Sequence, residues 1–322
     1  MPLPPLICPA CQTPLTPSNE QIQCPGCGHR YANSSYWDFA PSLRFVDVES
    51  PCHVDERGER LRAERYYLPL LRDLAQRTAR SLSELSVLDD GCGFGAAVEQ
   101  LRTYGVQAYG IDVGWRARDW DKRKPPWPYL RADGRALPFA DGTFDAVVSF
   151  GVIEHVGIEG ESGASEQVAA DYQQHRARYV AEALRVVRSP GIVVLSQPNG
   201  SCPVDFWHYP GSIPARLHSP GQPFLPRYRE IRQWAHRAES GVEVRSLSPY
   251  GIVNFERIRG WWFGRLFWRV VRTWFAALRL TPLRSLTRGP LNPFLVVLLR
   301  KGGDGASTRL SRPAPVRRAR PG

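Results

Sequence analysis

The sequence predicts an α/β protein built around an open, mostly parallel β-sheet. Between residues 86 and 200, short apolar runs alternate with glycine-rich turns and helix-like stretches. Such runs are typical of buried parallel strands, and the alternation implies helices that cross over between successive strands. The four runs read VLDDG, AYGID, FDAVVSF and GIVVLSQ.

Further elements flank this region. Residues 1–40 form a cysteine module, and residues 41–85 form a connector that becomes helical at about Asp55. In the connector, apolar residues recur near one helical face. After residue 200, VEVRSL (242–247) and FLVVLL (294–299) predict two more strands, and the Gly-, Pro- and Arg-rich tail 301–322 is predicted to be disordered. The apolar positions of the connector are Leu61, Tyr67, Leu71 and Leu74.

The charge of the chain is concentrated near one end. The 322 residues contain 42 Lys+Arg and 31 Asp+Glu, for a formal net charge of +11. Residues 255–322 hold this excess, so the preceding part does not have the charge of a nucleic-acid-binding surface. No apolar run approaches the roughly 18 residues of a membrane-spanning helix, and we see no secretion signal. We therefore expect a cytoplasmic protein; the alternative is a peripheral protein on the inner face of the membrane.

Four cysteines predict a metal site in the N-terminal module. Cys8 and Cys11 form one C-x-x-C pair and Cys24 and Cys27 a second, twelve residues further on. Two such turns bring four thiolates to one tetrahedral ion, which indicates structural Zn²⁺ in a zinc-ribbon-like module. The alternatives are two unrelated pairs or a redox dithiol.

A glycine-rich loop follows the first predicted strand. It reads Asp89-Asp90-Gly91-Cys92-Gly93-Phe94-Gly95, and its glycines permit a sharp turn and close approach of a ligand. Dinucleotide-binding loops use the same device. The acid before the first glycine favours a cationic or amino-bearing ligand over a pyrophosphate.

Together with three later motifs, this loop resembles that of the class I S-adenosylmethionine-dependent methyltransferases of the type 11 group. The later motifs are Tyr109–Asp112, Arg131–Phe139 and Phe144–Val156. The resemblance implies a Rossmann-like seven-stranded sheet with helices on both faces, spanning residues 86–300 with an insertion before the last strand. It also implies S-adenosylmethionine as cofactor, with Asp112 on the ribose and Asp133 on the adenine amino group. The cofactor-binding residues implied are Asp89, Gly91, Cys92, Gly93, Gly95, Asp112, Val113, Asp133, Gly134 and Phe150.

His155 is the candidate catalytic residue. It follows the fourth strand on the side where substrates bind in such folds, and an imidazole can accept a proton from a hydroxyl. The alternative is that Glu154 and His155 only brace their loop. His208, Tyr209 and His218 are further candidates.

The insertion, about residues 252–291, predicts an amphipathic helix. Apolar side chains fall on one arc and arginines on the opposite one. Such a helix could lie on an anionic membrane through residues 257–280, pack on the catalytic domain, or, as a third option, bind RNA. The apolar arc comprises Phe263, Leu266, Phe267, Val270, Val271, Trp274 and Leu278, with Trp261, Trp262 and Trp268 flanking it. The opposite arc comprises Arg265, Arg269, Arg272 and Arg279.

These observations favour an S-adenosylmethionine-dependent methyltransferase acting on a small or lipid-linked acceptor, with oxygen as the favoured acceptor atom. An rRNA or tRNA base methyltransferase is the alternative, because the layout of a zinc module ahead of this domain is similar to that of the bacterial large-subunit rRNA guanine methyltransferases. Residues 1–50 carry a net charge of −2, which disfavours nucleic acid as a partner. The second alternative is a non-catalytic scaffold that binds the cofactor.

Overall fold

The computed structural model describes residues 3–17, 21–33, 36–42, 56–123, 129–158, 167–208, 215–219, 221–253 and 264–302. The helices are α1 (Glu56–Arg62), α2 (Leu68–Arg77), α3 (Ala96–Thr103), α4 (Tyr172–Val186), α5 (Tyr228–Ala238) and α6 (Gly264–Ala277). The strands of the cysteine module are β1 (Leu6–Ile7), β2 (Pro14–Leu15), β3 (Gln21–Gln23), β4 (Arg30–Asn33) and β5 (Trp37–Asp38). The later strands are β6 (Ser86–Asp90), β7 (Gln107–Asp112), β8 (Tyr129–Arg131), β9 (Phe144–Phe150), β10 (Val187–Pro198), β11 (Val204–Asp205), β12 (Arg216–Leu217), β13 (Glu243–Leu247) and β14 (Phe294–Lys301).

Ten strands of the described residues form one sheet, in the order β13-β14-β10-β9-β6-β7-β8-β5-β4-β3. From β10 to β5 all neighbours are parallel. Strand β14 is antiparallel to both β10 and β13. The seven strands from β13 to β8 confirm the predicted seven-stranded sheet. Strand β8 was not predicted, because its three residues are too few for a sequence pattern.

The cysteine module extends the sheet at its β8 edge. Strand β5 pairs in parallel with β8, and β4 and β3 follow in antiparallel order. The buried Arg131 of β8 forms an ion pair with Asp38 at 3.0 Å and donates to the Ala40 carbonyl at 2.6 Å. The Ile7 N–H donates to the Pro138 carbonyl. Hydrogen bonds therefore join the module to the rest of the chain.

Helices cover both faces of the sheet, as predicted. Apolar side chains of α2, α3 and α6 belong to one core cluster, and those of α4 and α5 to the other. A π-helical turn, Ala63–Tyr67, joins α1 to α2. The predicted apolar face of this connector is confirmed for Tyr67, Leu71 and Leu74, which are buried, whereas Leu61 is only half-buried.

The described part of the insertion between β13 and β14 is mainly helical, as predicted, and contains α6 and a 3₁₀ segment, Thr281–Arg288. The structure buries the predicted apolar arc only in part. Leu278 is buried, and Phe267, Val271 and Trp274 pack against the core. Leu266 and Val270 are 68% and 61% exposed, because the apolar arc is wider than the surface the helix contacts.

Several predicted features lie outside the described residues. These are Trp261, Trp262 and Phe263 of the insertion, Tyr209, most of the segment before α1, and the tail from residue 303. Within the described ranges, every helix is too short or too polar to cross a bilayer.

Candidate active site

The candidate site is a cavity at the carboxyl ends of the central strands. Strand β6 pairs with β7 on one side and with β9 on the other, so the strand order reverses here. Parallel strands leave a ligand-binding crevice at such a reversal. The cavity has a volume of about 460 Å³ and is lined by residues that follow β6, β7 and β9.

The glycine-rich loop forms one wall of this cavity. Gly91, Gly93 and Gly95 have φ angles of +89°, +58° and +84°, which side-chain-bearing residues rarely adopt. A Cβ on Gly91 would lie 2.1 Å from Cγ2 of Val152, on the loop after β9. The glycines thus allow the loops after β6 and β9 to meet over the strand ends.

Asp112, at the end of β7, is held in place by the same loop. Its Oδ2 accepts the Gly93 N–H at 2.8 Å, and its Oδ1 accepts the Gly114 N–H. These bonds fix the carboxylate at the cavity wall, where its remaining lone pairs can accept from hydroxyl groups of a ligand.

Seven of the ten predicted cofactor-binding residues line the cavity. Asp89, Cys92 and Gly95 are not among the residues that line it. Contact of all ten with a cofactor stays a prediction. Burial raises the pKa of Asp89 to about 7, although Arg62 opposes the shift. Asp90 instead lines the cavity, and burial raises the pKa of its carboxyl to about 8, although a hydrogen bond from Tyr179 opposes the shift. The seven are Gly91, Gly93, Asp112, Val113, Asp133, Gly134 and Phe150.

Asp133 lines the cavity but already has a partner. The Arg135 guanidinium forms a fork with it, at 3.1 Å from Nε to Oδ1 and 2.7 Å from Nη2 to Oδ2. Arg135 also contacts Nδ1 of His175 at 3.1 Å. A ligand amino group that binds Asp133 therefore has to share this carboxylate with Arg135.

The connector helix contributes two lining residues that sequence reasoning missed. Glu59 is buried and accepts the N–H groups of Phe94 (3.2 Å) and Ala96 (2.8 Å), at the start of α3. Burial raises the pKa of Glu59 to about 7, against the effect of Arg62. The Arg62 guanidinium lies 3.8 Å above the Phe150 ring. The signal in the sequence was the spacing of Glu59 and Arg62: two charged residues three positions apart lie on the same face of a helix, and this face packs inward.

The predicted catalytic residue His155 lies in a cluster with Glu154 and His208. The two Nε2 atoms are 3.4 Å apart, and Nδ1 of His208 lies 2.9 Å from Oδ2 of the buried Asp205. The Phe224 ring packs against both imidazoles. His208 was a sequence candidate, whereas Asp205 was missed, since nothing local marks it.

Burial sets the protonation of this cluster. Burial and the neighbouring His208 lower the pKa of His155 to about 3, so its imidazole is neutral near pH 7. Burial raises the pKa of Glu154 to about 7, although His208 opposes the shift. Burial also opposes ionisation of Asp205, but the hydrogen bond from His208 outweighs it and lowers the pKa of that carboxyl.

The four cysteines of the N-terminal module lie together, as predicted. Their sulfur atoms are all within 4.8 Å of one another, with Cys8–Cys27 at 3.6 Å and Cys11–Cys24 at 3.5 Å. Tetrahedral coordination at the usual zinc–sulfur distance gives sulfur separations of about 3.8 Å. The cluster therefore fits a four-coordinate metal ion.

A family model described as a methyltransferase domain, Methyltransf_11, matches residues 88–195. A probable S-adenosylmethionine-dependent methyltransferase of Mycobacterium tuberculosis is 29% identical over 159 residues, covering 48% of this chain and 52% of the relative. A ubiquinone biosynthesis O-methyltransferase of Bordetella pertussis is 33% identical over 94 residues, covering 27% of this chain and 39% of the relative. The chain thus spans about half the length, or less, of these curated relatives.

Among solved structures, an S-adenosylmethionine-dependent methyltransferase from Mesorhizobium loti is 16% identical to this chain, with a TM-score of 0.44. The alignment covers 72% of this chain and 96% of that chain.

The two glycines Gly91 and Gly105 provide a test of the loop. Both have positive φ, but a Cβ on Gly105 would have only Ser83 Cβ nearby, at 3.7 Å. We expect Gly105→Ala to cost about 1 kcal/mol of unfolding free energy, the usual strain of this conformation. Gly91→Ala adds the clash with Val152, so we expect about 1–3 kcal/mol of further destabilisation and weaker cofactor binding.

Urea unfolding and calorimetric titration with S-adenosylmethionine measure both effects. Equal unfolding free energies and equal affinities for the two variants would contradict the close packing of Gly91 against Val152.

Proposed function

The chain carries a class I S-adenosylmethionine-dependent methyltransferase domain, and we propose that it transfers the methyl group to an oxygen of a small or lipid-linked acceptor. One observation carries this proposal. The glycine-rich loop, the fixed Asp112 and the histidine cluster all face the same cavity. The resemblance to a protein named as an O-methyltransferase supports oxygen as the acceptor atom.

The residues at the cavity wall fit the cofactor. Gly91 and Gly93 let the loop pack closely against Val152 and Glu59, which places its backbone at the cavity wall, and Asp112 offers lone pairs to the ribose hydroxyls. Asp90 adds a buried carboxyl group beside the Tyr179 hydroxyl at the same wall. When bound, the cofactor supplies a methyl group on a sulfonium, which a nucleophile displaces in line.

The acceptor side of the cavity combines apolar and titratable groups. Trp207 and Phe294 pack together at 4.7 Å between ring centroids, and His155 and His208 lie alongside. An acceptor hydroxyl must lose its proton as the methyl group arrives. The neutral imidazole of His155 can hold that hydroxyl by a hydrogen bond, but burial lowers the pKa of His155 to about 3, which makes it a weak base. The apolar residues orient the acceptor and exclude water.

Asp112→Asn tests the cofactor site. The amide can no longer accept from both the loop N–H groups and the ribose, so we expect at least tenfold weaker S-adenosylmethionine binding, about 1.4 kcal/mol. The matched control is Asp119→Asn, because Asp119 pairs with Lys122 away from the cavity lining. Calorimetric titration measures both affinities, and equal affinities would exclude the role of Asp112.

The same two variants can be compared in an assay for the methyl acceptor. Each protein is incubated with methyl-labelled S-adenosylmethionine and a cell extract, and the labelled compounds are identified. We expect wild-type protein and Asp119→Asn to label organic-soluble or small polar compounds, and Asp112→Asn to label them weakly. Label found only in RNA, or no label at all, would contradict the proposed function.

We also infer that the cysteine cluster holds a structural Zn²⁺ ion. Four sulfur donors complete a tetrahedral shell and leave no open position for chemistry. The Tyr31 hydroxyl lies 3.0 Å from the Cys8 sulfur, where it can donate to a thiolate, and it is buried with it. In a module whose longest strand has four residues, the metal supplies folding free energy that a small core cannot.

Cys11→Ser tests the zinc inference. We expect this variant to lose one zinc equivalent per chain, measured by elemental analysis of tag-free protein, and to melt at a lower temperature. Cys202→Ser is the control, since Cys202 is a free thiol outside the cluster. Zinc content that is the same in both variants and in the wild type would contradict the assignment.

The insertion supports contact with an anionic membrane surface, which would bring a lipid-linked acceptor to the cavity. Residues 264–291 contain six arginines and no acidic residue. Leu266 and Val270 of α6 are exposed beside Arg265 and Arg269, so apolar and cationic groups meet on one surface. On the inner side of α6, the ring centroid of Phe267 lies 5.7 Å from that of Phe206. Phe206 directly precedes Trp207, which lines the cavity.

Flotation with anionic vesicles tests the membrane surface. We expect the wild-type protein to float with phosphatidylserine-containing vesicles. For the double variant Leu266→Glu, Val270→Glu, we expect the floated fraction to be at least tenfold smaller. Leu217→Glu is the control, because Leu217 is 82% exposed but belongs to the β11–β12 hairpin. Equal flotation of wild type and double variant, or none of either, would contradict the proposal.

A further inference from the structure

The Glu154–His155–His208 cluster has the geometry of a metal site with an open position. One ligand atom of each residue lies within 4.8 Å of the other two. The 3.4 Å between the two Nε2 atoms matches the edge of a tetrahedral zinc site with bonds of about 2.0–2.1 Å to nitrogen. The Glu154 carboxylate oxygen lies at most 4.8 Å from each nitrogen, so a movement of at most about 1.4 Å brings it to the 3.4 Å spacing of the two nitrogens.

An unpartnered buried atom points to a ligand at this place. Oε2 of Glu154 is buried and has no hydrogen-bond partner among the described residues. Glu154 as a whole is 1% exposed. A buried carboxylate oxygen without a partner is unfavourable unless it binds a cation or is protonated. A cation shared with the imidazoles would satisfy it.

The residues around the cluster prepare the imidazoles for coordination. Asp205 accepts from Nδ1 of His208, which leaves the lone pair on Nε2, the atom that faces His155. A carboxylate behind a metal-binding histidine is the usual arrangement at zinc sites. Asp205 also pairs with Arg216 at 3.0 Å.

The nearby arginines do not cancel the charge of Glu154 by direct pairing. The guanidinium of the buried Arg176 donates hydrogen bonds to the carbonyl oxygens of Glu154, Val156, Pro223 and Phe224. Arg216 is engaged by Asp205. The Glu154 carboxylate is therefore available as an anionic ligand.

We propose that Glu154, His155 and His208 bind a divalent transition-metal cation of the zinc type at the acceptor side of the cavity. Two imidazoles and one carboxylate suit zinc better than magnesium, which prefers oxygen ligands. Three protein ligands leave the fourth position open toward the cavity, the arrangement of catalytic rather than structural zinc sites.

The role of this cation rests on the proposed function. An acceptor hydroxyl at the open position loses its proton to solvent water more readily, because the cation stabilises the alkoxide or phenolate. The oxygen then forms its bond to the methyl carbon, the carbon–sulfur bond breaks, and the sulfur keeps the electron pair as S-adenosylhomocysteine leaves. In this arrangement His155 acts as a ligand and not as the base.

Metal counting on tag-free protein tests the site without any acceptor. After equilibration with Zn²⁺ and desalting, we expect two zinc ions per chain in the wild type, one of them in the cysteine cluster. His208→Ala and the nearly isosteric Glu154→Gln should each hold one. His236→Ala is the control and should hold two, because His236 is exposed on α5 and does not line the cavity.

Cobalt substitution locates the second ion. Cobalt in the cysteine cluster produces a sulfur-to-metal charge-transfer band, and a second equivalent at the proposed site should bind without increasing it. Calorimetric binding of S-adenosylmethionine to each variant serves as the folding control. One zinc ion in the wild type, two in His208→Ala and Glu154→Gln, or a second cobalt that increases the sulfur band would each overturn the proposal.

The outcome is separable from that of the proposed function. Methyl transfer by a protein that holds only one zinc ion would support the proposed function and exclude this site, leaving a hydrogen bond between the two imidazoles. Two zinc ions in a protein that methylates nothing would support the site and exclude the activity.

Discussion

The pairing of β6 with β7 on one side and with β9 on the other is the constraint on which the rest of the structure depends. It places the loops after three strands at one edge of the sheet. The loop after β6 turns back sharply because its glycines adopt positive φ, and Asp112 at the end of β7 holds it by accepting the Gly93 N–H. A register shift of one residue would move these groups to the other face of the sheet. The position of the cavity therefore depends on the strand order as well as on the side chains that line it.

Two segments outside residues 86–300 become part of the same body through hydrogen bonds to it. The cysteine module continues the sheet through β5, and the buried Arg131 ties it to Asp38. The connector helix α1 sends Glu59 to the start of α3 and Arg62 to the ring of Phe150. A metal ion in the module would thus stabilise the sheet edge next to β8, and α1 would close the cavity from the side of the glycine-rich loop.

On the side of the cavity that holds His155 and His208, two buried charged residues, Arg176 and Asp205, organise the loops. Arg176 donates to carbonyl oxygens on both sides of His155 and to those of Pro223 and Phe224, so two distant loops are held at α4. Asp205 accepts from His208 and Arg216, which fixes the imidazole that faces His155. Such groups are costly to bury unless they are paired, and their pairing holds the loops in one arrangement. Glu154 and His155 have buried atoms at the cavity wall that have no hydrogen-bond partner among the described residues.

The sequence by itself determined the features that depend on neighbours in the chain. These are six strands of the sheet, the glycine-rich loop, the two C-x-x-C turns and the helical insertion, each marked by local pattern or by a backbone conformation that only certain residues adopt. Tertiary structure alone decided that Glu59 and Arg135 line the cavity, that Asp205 orients His208, and that Leu266 stays exposed. The physical reason is that contacts between residues tens of positions apart follow from strand order and helix docking, which no local pattern encodes.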